Sequence, residues 1–218
     1  MSDNNQNENE ENELKIILLG ECGVGKTNII LRYIKNKFDD NADSTTGSIY
    51  TMKEINKDNI NYKLNIWDTA GQEKYHSVTK MSLQEANIII LVYSIIDEHS
   101  FAGLNFWYKT AIDICGKNTT IAVVGNKIDL FLEAAVDEEK AKNYAQSIKA
   151  IFKLVSAKED KNGIDELFDQ VLDEYIKRKS NKYEDGDEKK SENVKSQNIK
   201  IEDTENKHAE NNKKKKCC

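Results

Sequence analysis

A chain of 218 residues, 38 % of them apolar, has enough material for the core of one α/β domain with tails. Its formal net charge of −6 argues against nucleic acid as a partner, because phosphate backbones call for a basic face. Neither a signal peptide nor a membrane span is expected, since the longest apolar stretch, around Ile88 to Val92, falls far short of the ~20 residues a span needs.

Both ends are poor in large apolar residues. Residues 1–13 are mostly Asn, Glu, Asp, Gln and Ser, and residues 181–218 mostly Lys, Glu, Asp and Asn, so neither can offset ordering entropy by burial. They read as disordered tails, which leaves 14–180 as the folded domain. Four cysteines, Cys22, Cys115, Cys217 and Cys218, have no spacing that suits a disulfide framework and point to a reducing, cytoplasmic setting.

In chain order, Leu14 to Leu19 is an apolar run of strand length, and Asn28 to Ile34 has helical spacing. Between them lies Gly20-Glu21-Cys22-Gly23-Val24-Gly25-Lys26-Thr27, the pattern GxxxxGK[ST] in the strand-to-helix context that gives it meaning. Glycines let successive N–H groups converge on one anion, and the helix start adds its positive dipole end. Phosphate is expected there, with Lys26 reaching the β and γ phosphates and the Thr27 hydroxyl on Mg²⁺. The bland alternative is a Gly-rich turn that merely joins strand to helix.

The helix is expected to end near Lys37. Phe38 to Gly47 follows as a polar loop, then strands Ser48 to Ile55 and Tyr62 to Trp67 joined by a turn at 56–59. Asp68-Thr69-Ala70-Gly71-Gln72 stands at the carboxyl end of the second strand, where Asp68 can hold Mg²⁺, Gly71 can offer its N–H to a γ-phosphate and Gln72 can orient an attacking water. Asn87 to Tyr93 and Ile121 to Val124 read as buried strands, separated by a crossover helix carrying Phe101, Leu104, Tyr108 and Ile112. Asp137 to Lys149 reads as a helix, Ile151 to Val155 as the last strand, and Gly163 to Lys179 as a closing amphipathic helix. Alternating strands and helices imply a doubly wound, mostly parallel sheet with its ligand at the carboxyl ends of the strands.

Two motifs at such ends choose the base. Asn126-Lys127-x-Asp129 supplies a carboxylate able to accept from the paired N1–H and N2–H₂ donors of guanine, a pair that adenine lacks. Ser156-Ala157-Lys158 can add a backbone N–H toward guanine O6, with Lys127 and Lys158 laying their stems along base and ribose.

Together GECGVGKT, DTAGQE, NKID and SAK resemble a Ras-superfamily small GTPase over residues 14 to about 180, most similar to the Rab family, and DTAGQEKYHS is similar to its endosomal branch. The resemblance implies a three-layer P-loop GTPase fold: a mostly parallel six-stranded sheet flanked by about five helices. It implies GDP and GTP states, with switch loops near 38–50 and 68–84 ordered by the γ-phosphate. Thr45 is then a second hydroxyl ligand of Mg²⁺, Cys22, Gly23, Val24, Gly25 and Asn28 are nucleotide contacts, and Phe38 packs beside the guanine. Tyr50 and Trp67 match aromatic positions that meet effectors. Implied partners are an exchange factor, an activating protein, a GDP-dissociation inhibitor and effectors, around a protein expected to be monomeric.

The end of the chain fits that family. Lys213 to Lys216 followed by Cys217-Cys218 resembles a Rab double-cysteine terminus, on which both thiols carry geranylgeranyl chains. Two lipids with a basic run satisfy the two-signal condition for anchoring, here on the cytosolic face of intracellular and, by the switch II resemblance, endosomal membranes. A tail of 38 residues spans roughly 35 Å as a flexible coil. The chain departs from the Rab pattern at Thr46, at Ser94, at Ser82-Leu83-Gln84 in place of an aromatic run, and at Cys22, a position where bulk slows hydrolysis.

The expected reaction is in-line attack of water on the γ-phosphate, with Lys26 stabilising charge and Gln72 placing the water. Arg32 and Arg178 are the only arginines, and neither is placed to serve as a finger in cis. Two alternatives stand beside this reading: a phosphotransferase, which needs an Arg-rich lid, and a membrane-bound nucleotide scaffold with negligible hydrolysis. His76, His99 and Trp107 read as structural or solvent-facing residues.

Overall fold

The computed structural model describes residues 12–41, 45, 49–69 and 81–181. Six strands form one sheet: β1 Glu13–Leu19, β2 Ile49–Lys57, β3 Ile60–Asp68, β4 Ile88–Ser94, β5 Thr120–Asn126 and β6 Ile151–Leu154. Their order is β2-β3-β1-β4-β5-β6, with β2 antiparallel to β3 and every other pair parallel. The six-stranded, mostly parallel sheet expected from the sequence is the one observed.

Strand composition sets each position. β4 and β5 are buried at every residue, as strands covered on both faces must be. β3 instead alternates, burying Tyr62, Leu64 and Ile66, and the same period carries Asp68 inward at its carboxyl end. Asp58 and Asn59 link β2 to β3 with φ of 53° and 64°, the left-handed pair that a two-residue hairpin demands and Asn and Asp tolerate. The turn is thus shorter than expected, and both strands longer.

Helices cover the sheet: α1 Lys26–Lys35, α2 Glu98–Ala102, α3 Leu104–Cys115, α4 Glu138–Ser147 and α5 over 161–181. α1 stops two residues before Lys37 because Asn36 turns left-handed, at φ 50°, and its N–H bonds back to Arg32 O. α5 buries Ile164, Leu167, Phe168, Val171 and Leu172 completely, each contributing roughly 1.5–3 kcal/mol. The Phe168 ring stacks on Tyr33 of α1 at 3.7 Å. A second cluster on the sheet joins Leu104, Trp107 and Ala111 of α3 to Ile89, Leu91, Tyr93, Ile121 and Val123.

Two elements differ from expectation. The crossover helix is two helices, divided at Gly103, where a Cβ would lie 2.7 Å from Glu21 Oε1. A 3-10 helix, Ile128–Glu133, follows β5, where the sequence showed only a motif. The chain divides into two units, 1–175 and 176–218; of the second, only 176–181 are described, and they are helical.

Candidate functional site

The phosphate-loop residues turn from β1 into α1 by close backbone approach. Gly20 passes so near β4 that a Cβ would stand 2.1 Å from Val92 O. Gly25, at φ +98°, is the N-cap of α1 and makes no side-chain cap bond, and no acidic residue occupies the first turn. By contrast Asp97 caps α2 by accepting from Ser100 N, and Asp137 caps α4 by accepting from Lys140 N. The α1 start therefore keeps its dipole end and N–H groups for an anion.

Lys26 is buried, and its Nζ donates to Gly20 O at 2.8 Å and Glu21 O at 2.9 Å. Burial pulls its ammonium down to about 8, against the opposing charge of Asp68. An ammonium has three donors, so one remains after these two bonds. Glu21 is itself fixed, because Trp107 Nε1 of α3 donates to its Oε1 at 3.0 Å. Trp107 is therefore more than packing, a role with no signal in a single sequence.

Three oxygens meet where α1 begins. Thr27 Oγ1 donates to Asp68 Oδ2 at 2.6 Å, Thr45 Oγ1 donates to the same atom at 3.2 Å, and the two hydroxyls are 3.0 Å apart. Burial raises the Asp68 carboxyl, opposed chiefly by the Thr27 bond and the Lys26 charge. Its Oδ1 is buried without a hydrogen-bond partner among the described residues. A convergent all-oxygen set with one orphaned carboxylate oxygen suits Mg²⁺. Thr69 Oγ1 donates to Leu18 O at 2.6 Å and holds the end of β3 against β1.

The base-side motifs are tied to the phosphate loop through one side chain. Asn126 Nδ2 donates to Val24 O at 2.8 Å while its Oδ1 accepts from Ala157 N at 3.0 Å. Ser156 Oγ donates to Asp129 Oδ1 at 2.6 Å, leaving the other carboxylate oxygen for a ligand. Lys127 is held left-handed at φ 70°, strain of the sort that collects at binding sites. Lys158 Nζ stands 5.9 Å from the centre of the Phe38 ring and 3.7 Å from Asp40 Oδ1.

These groups surround one cleft of about 340 Å³. Cys22, Gly23, Gly25, Lys26, Thr27 and Asn28 line it from the β1–α1 loop and the first turn of α1, together with Phe38 and Thr45. Asn126, Lys127, Asp129, Ala157 and Lys158 line it from the segments that follow β5 and β6. Val24, Asp68 and Ser156 act from behind the lining through the bonds given above. The Asn28 side chain is engaged with Asp39, donating to its carbonyl at 3.0 Å and accepting from its N–H at 2.9 Å. Asp39, Asp40, Thr69 and Leu130 also line the cleft and were not expected. Gly71, Gln72, Thr46, His76, Cys217 and Cys218 lie outside the described residues.

The Ras family model matches residues 15–177. "Ras-related protein Rab-21" of Homo sapiens is 42% identical over 154 residues, which cover 71% of this chain and 68% of the relative. The proteins of the same name from Canis lupus familiaris and Geodia cydonium are each 42% identical over 154 residues, 71% of this chain and 69% and 67% of theirs. Members of this family bind guanine nucleotide and Mg²⁺ and hydrolyse GTP, so a scaffold without hydrolysis is not the favoured reading. With its parallel sheet, its uncapped helix at a phosphate loop and these relatives, the chain belongs to the Ras family of small GTPases and, within it, to the Rab proteins of vesicle trafficking.

Proposed function

We propose that the cleft between the phosphate loop and the 126–129 and 156–158 segments holds GDP or GTP with Mg²⁺, and that the domain, about 14–180, hydrolyses the γ-phosphate. The observation that carries this is the meeting of Thr27, Thr45 and Asp68 beside Lys26, with Asp68 Oδ1 buried and, among the described residues, without a hydrogen-bond partner. Thr27, Thr45 and Asp68 are the residues to hold the metal, which when bound draws charge from the phosphate oxygens. Lys26 turns its third N–H to the β and γ phosphates. Loop N–H groups from Cys22 to Thr27 and the α1 dipole bind the anion.

On the base side Asp129 accepts from N1–H and N2–H₂, and Ser156 fixes that carboxylate. Asn126 holds the two halves in register, while Phe38, Lys127 and Lys158 cover base and ribose. Gln72, beside Gly71, is proposed to place the attacking water. The Arg32 guanidinium is committed to carbonyls of the 156–158 segment, so this side chain leaves the transition-state charge to be met from outside, by an activating protein able to raise the rate by ~10³–10⁵.

A GTP-bound form recruiting effectors through a surface that includes Tyr50 and Trp67 is the further proposal. Those rings face each other across β2 and β3 at 5.4 Å, and Tyr50 is exposed. Geranylgeranyl groups on Cys217 and Cys218 are proposed to hold the protein on the cytosolic face of intracellular, endosomal membranes, exchanged by a GDP-dissociation inhibitor. The test of the core reading is nucleotide retained by purified protein: guanine nucleotide released faster on chelation of Mg²⁺ supports it, and equal uptake of adenine nucleotide overturns it. Redistribution to cytosol when both terminal cysteines become Ser tests the anchor.

A further inference from the structure

We propose that Arg32 is a positioning residue for the nucleotide base, acting through the main chain of the 156–158 segment. It sits on α1, whose first turn faces the phosphates, and its guanidinium crosses to the opposite end of the cleft. Nε donates to Ala157 O at 2.8 Å and Nη2 donates to Lys158 O at 2.6 Å, while Nη1 donates to Asn36 Oδ1 at 3.0 Å and, at 3.3 Å, to Asn36 O. A planar fork that grips two successive carbonyls fixes two peptide planes, which a Lys ammonium, a single point of charge, does not reproduce.

Fixing those planes sets the other edge of the segment. In a trans peptide the N–H lies opposite the carbonyl, so clamping Ala157 O orients Lys158 N–H, and Ala157 N–H is already engaged with Asn126 Oδ1. Ser156 Oγ completes the support by accepting from Glu159 N at 3.0 Å, and Ala157 is buried. The segment that meets the purine C6 carbonyl is thereby held from the side away from the ligand, and by the same helix that begins in the phosphate loop. Arg32 is not itself a lining residue of the cleft and reaches it only through the carbonyls of Ala157 and Lys158, which are.

The inference rests on the reading of this cleft as a guanine-nucleotide site. It is tested by release of GDP and of 6-thio-GDP, which carries a weaker acceptor at C6, from the magnesium-loaded full chain and its Arg32→Lys and Arg32→Ala forms. The expected result is GDP release faster by on the order of tenfold or more in Arg32→Ala, and faster also in Arg32→Lys. The ratio between the two nucleotides should shrink toward unity in both variants, since the group that senses C6 is no longer held. Acceleration of both nucleotides by one common factor, or wild-type GDP release in Arg32→Lys, overturns the proposal. Should Arg32→Ala fail to fold, Arg32→Lys carries the comparison alone. Failure of the wild-type protein to retain GDP would instead sink the underlying reading of the cleft.

Discussion

Thr27 Oγ1 and Asp68 Oδ2 are 2.6 Å apart although 41 residues of chain separate them, which ties the first turn of α1 to the end of β3. Substituting Thr27→Val keeps the shape and removes the oxygen. Magnesium should then slow GDP release far less than in the parent, with release at saturating metal faster by at least about tenfold. Titration of Mg²⁺ against release rate reads this directly, and an unchanged magnesium dependence would remove Thr27 from the metal site.

Gly25 leaves no room for a side chain. Its φ of +98° strains any other residue, and a Cβ would meet Asn126 Nδ2 at 2.3 Å. Gly25→Ala is expected to cost about 1–3 kcal/mol in urea unfolding and to weaken nucleotide binding as Asn126 is displaced from Val24 O. A variant of unaltered stability and affinity would contradict this.

Asp129 is proposed to present acceptors to the base. In Asp129→Asn an amide replaces one carboxylate oxygen, so guanine loses a partner while xanthine, with a carbonyl at C2, gains one. Affinity for GDP should fall by about 10²-fold or more and the preference for xanthosine diphosphate should rise. Competition binding with the two diphosphates decides the matter.

Trp107 anchors Glu21 from the far side of the phosphate loop. Trp107→Phe preserves most of the packing and deletes the indole N–H, which should cost about 1–3 kcal/mol and speed nucleotide release, because Glu21 also offers its carbonyl to Lys26. Denaturant unfolding and stopped-flow release on the same variant separate the two effects.

Tyr33 and Tyr93 are buried, and burial raises both phenols well above their ordinary 10. A group whose acid form is favoured by folding loses that contribution as pH climbs past its unfolded value, so each should subtract on the order of 1 kcal/mol per pH unit above 10. Lys26, held near 8, acts in the opposite sense between 8 and 10.5. The comparison therefore belongs between pH 10.5 and 11.5, where unfolding free energy should fall. Replacing Tyr33 by Phe should flatten that slope.

Residues with a fixed chemical demand were legible in advance. Gly20, Gly25, Lys26 and Thr27 could be placed between a strand and a helix because the GxxxxGK[ST] spacing calls for close backbone approach there, and strands such as β4 because seven consecutive buried positions require an apolar run. What escaped was set by tertiary contact. Phe101 and Leu104 keep helical spacing through Gly103, so nothing in the pattern announces the division there, nor that a side chain at 103 would meet the Glu21 carboxylate. Trp107 and Arg32 carry no motif, and their partners are 86 and 125 residues away. The 3-10 helix at Ile128–Glu133 exposes Phe131 and Leu132, which defeats any periodicity argument.

One carboxamide, that of Asn126, spends its donor on Val24 and its acceptor on Ala157. Leverage applied at either rim of the cleft is thus transmitted to the other. On the proposed reading of the cleft, a partner that displaced Val24 would free the Asn126 donor and so disturb its hold on Ala157 at the opposite rim without touching it.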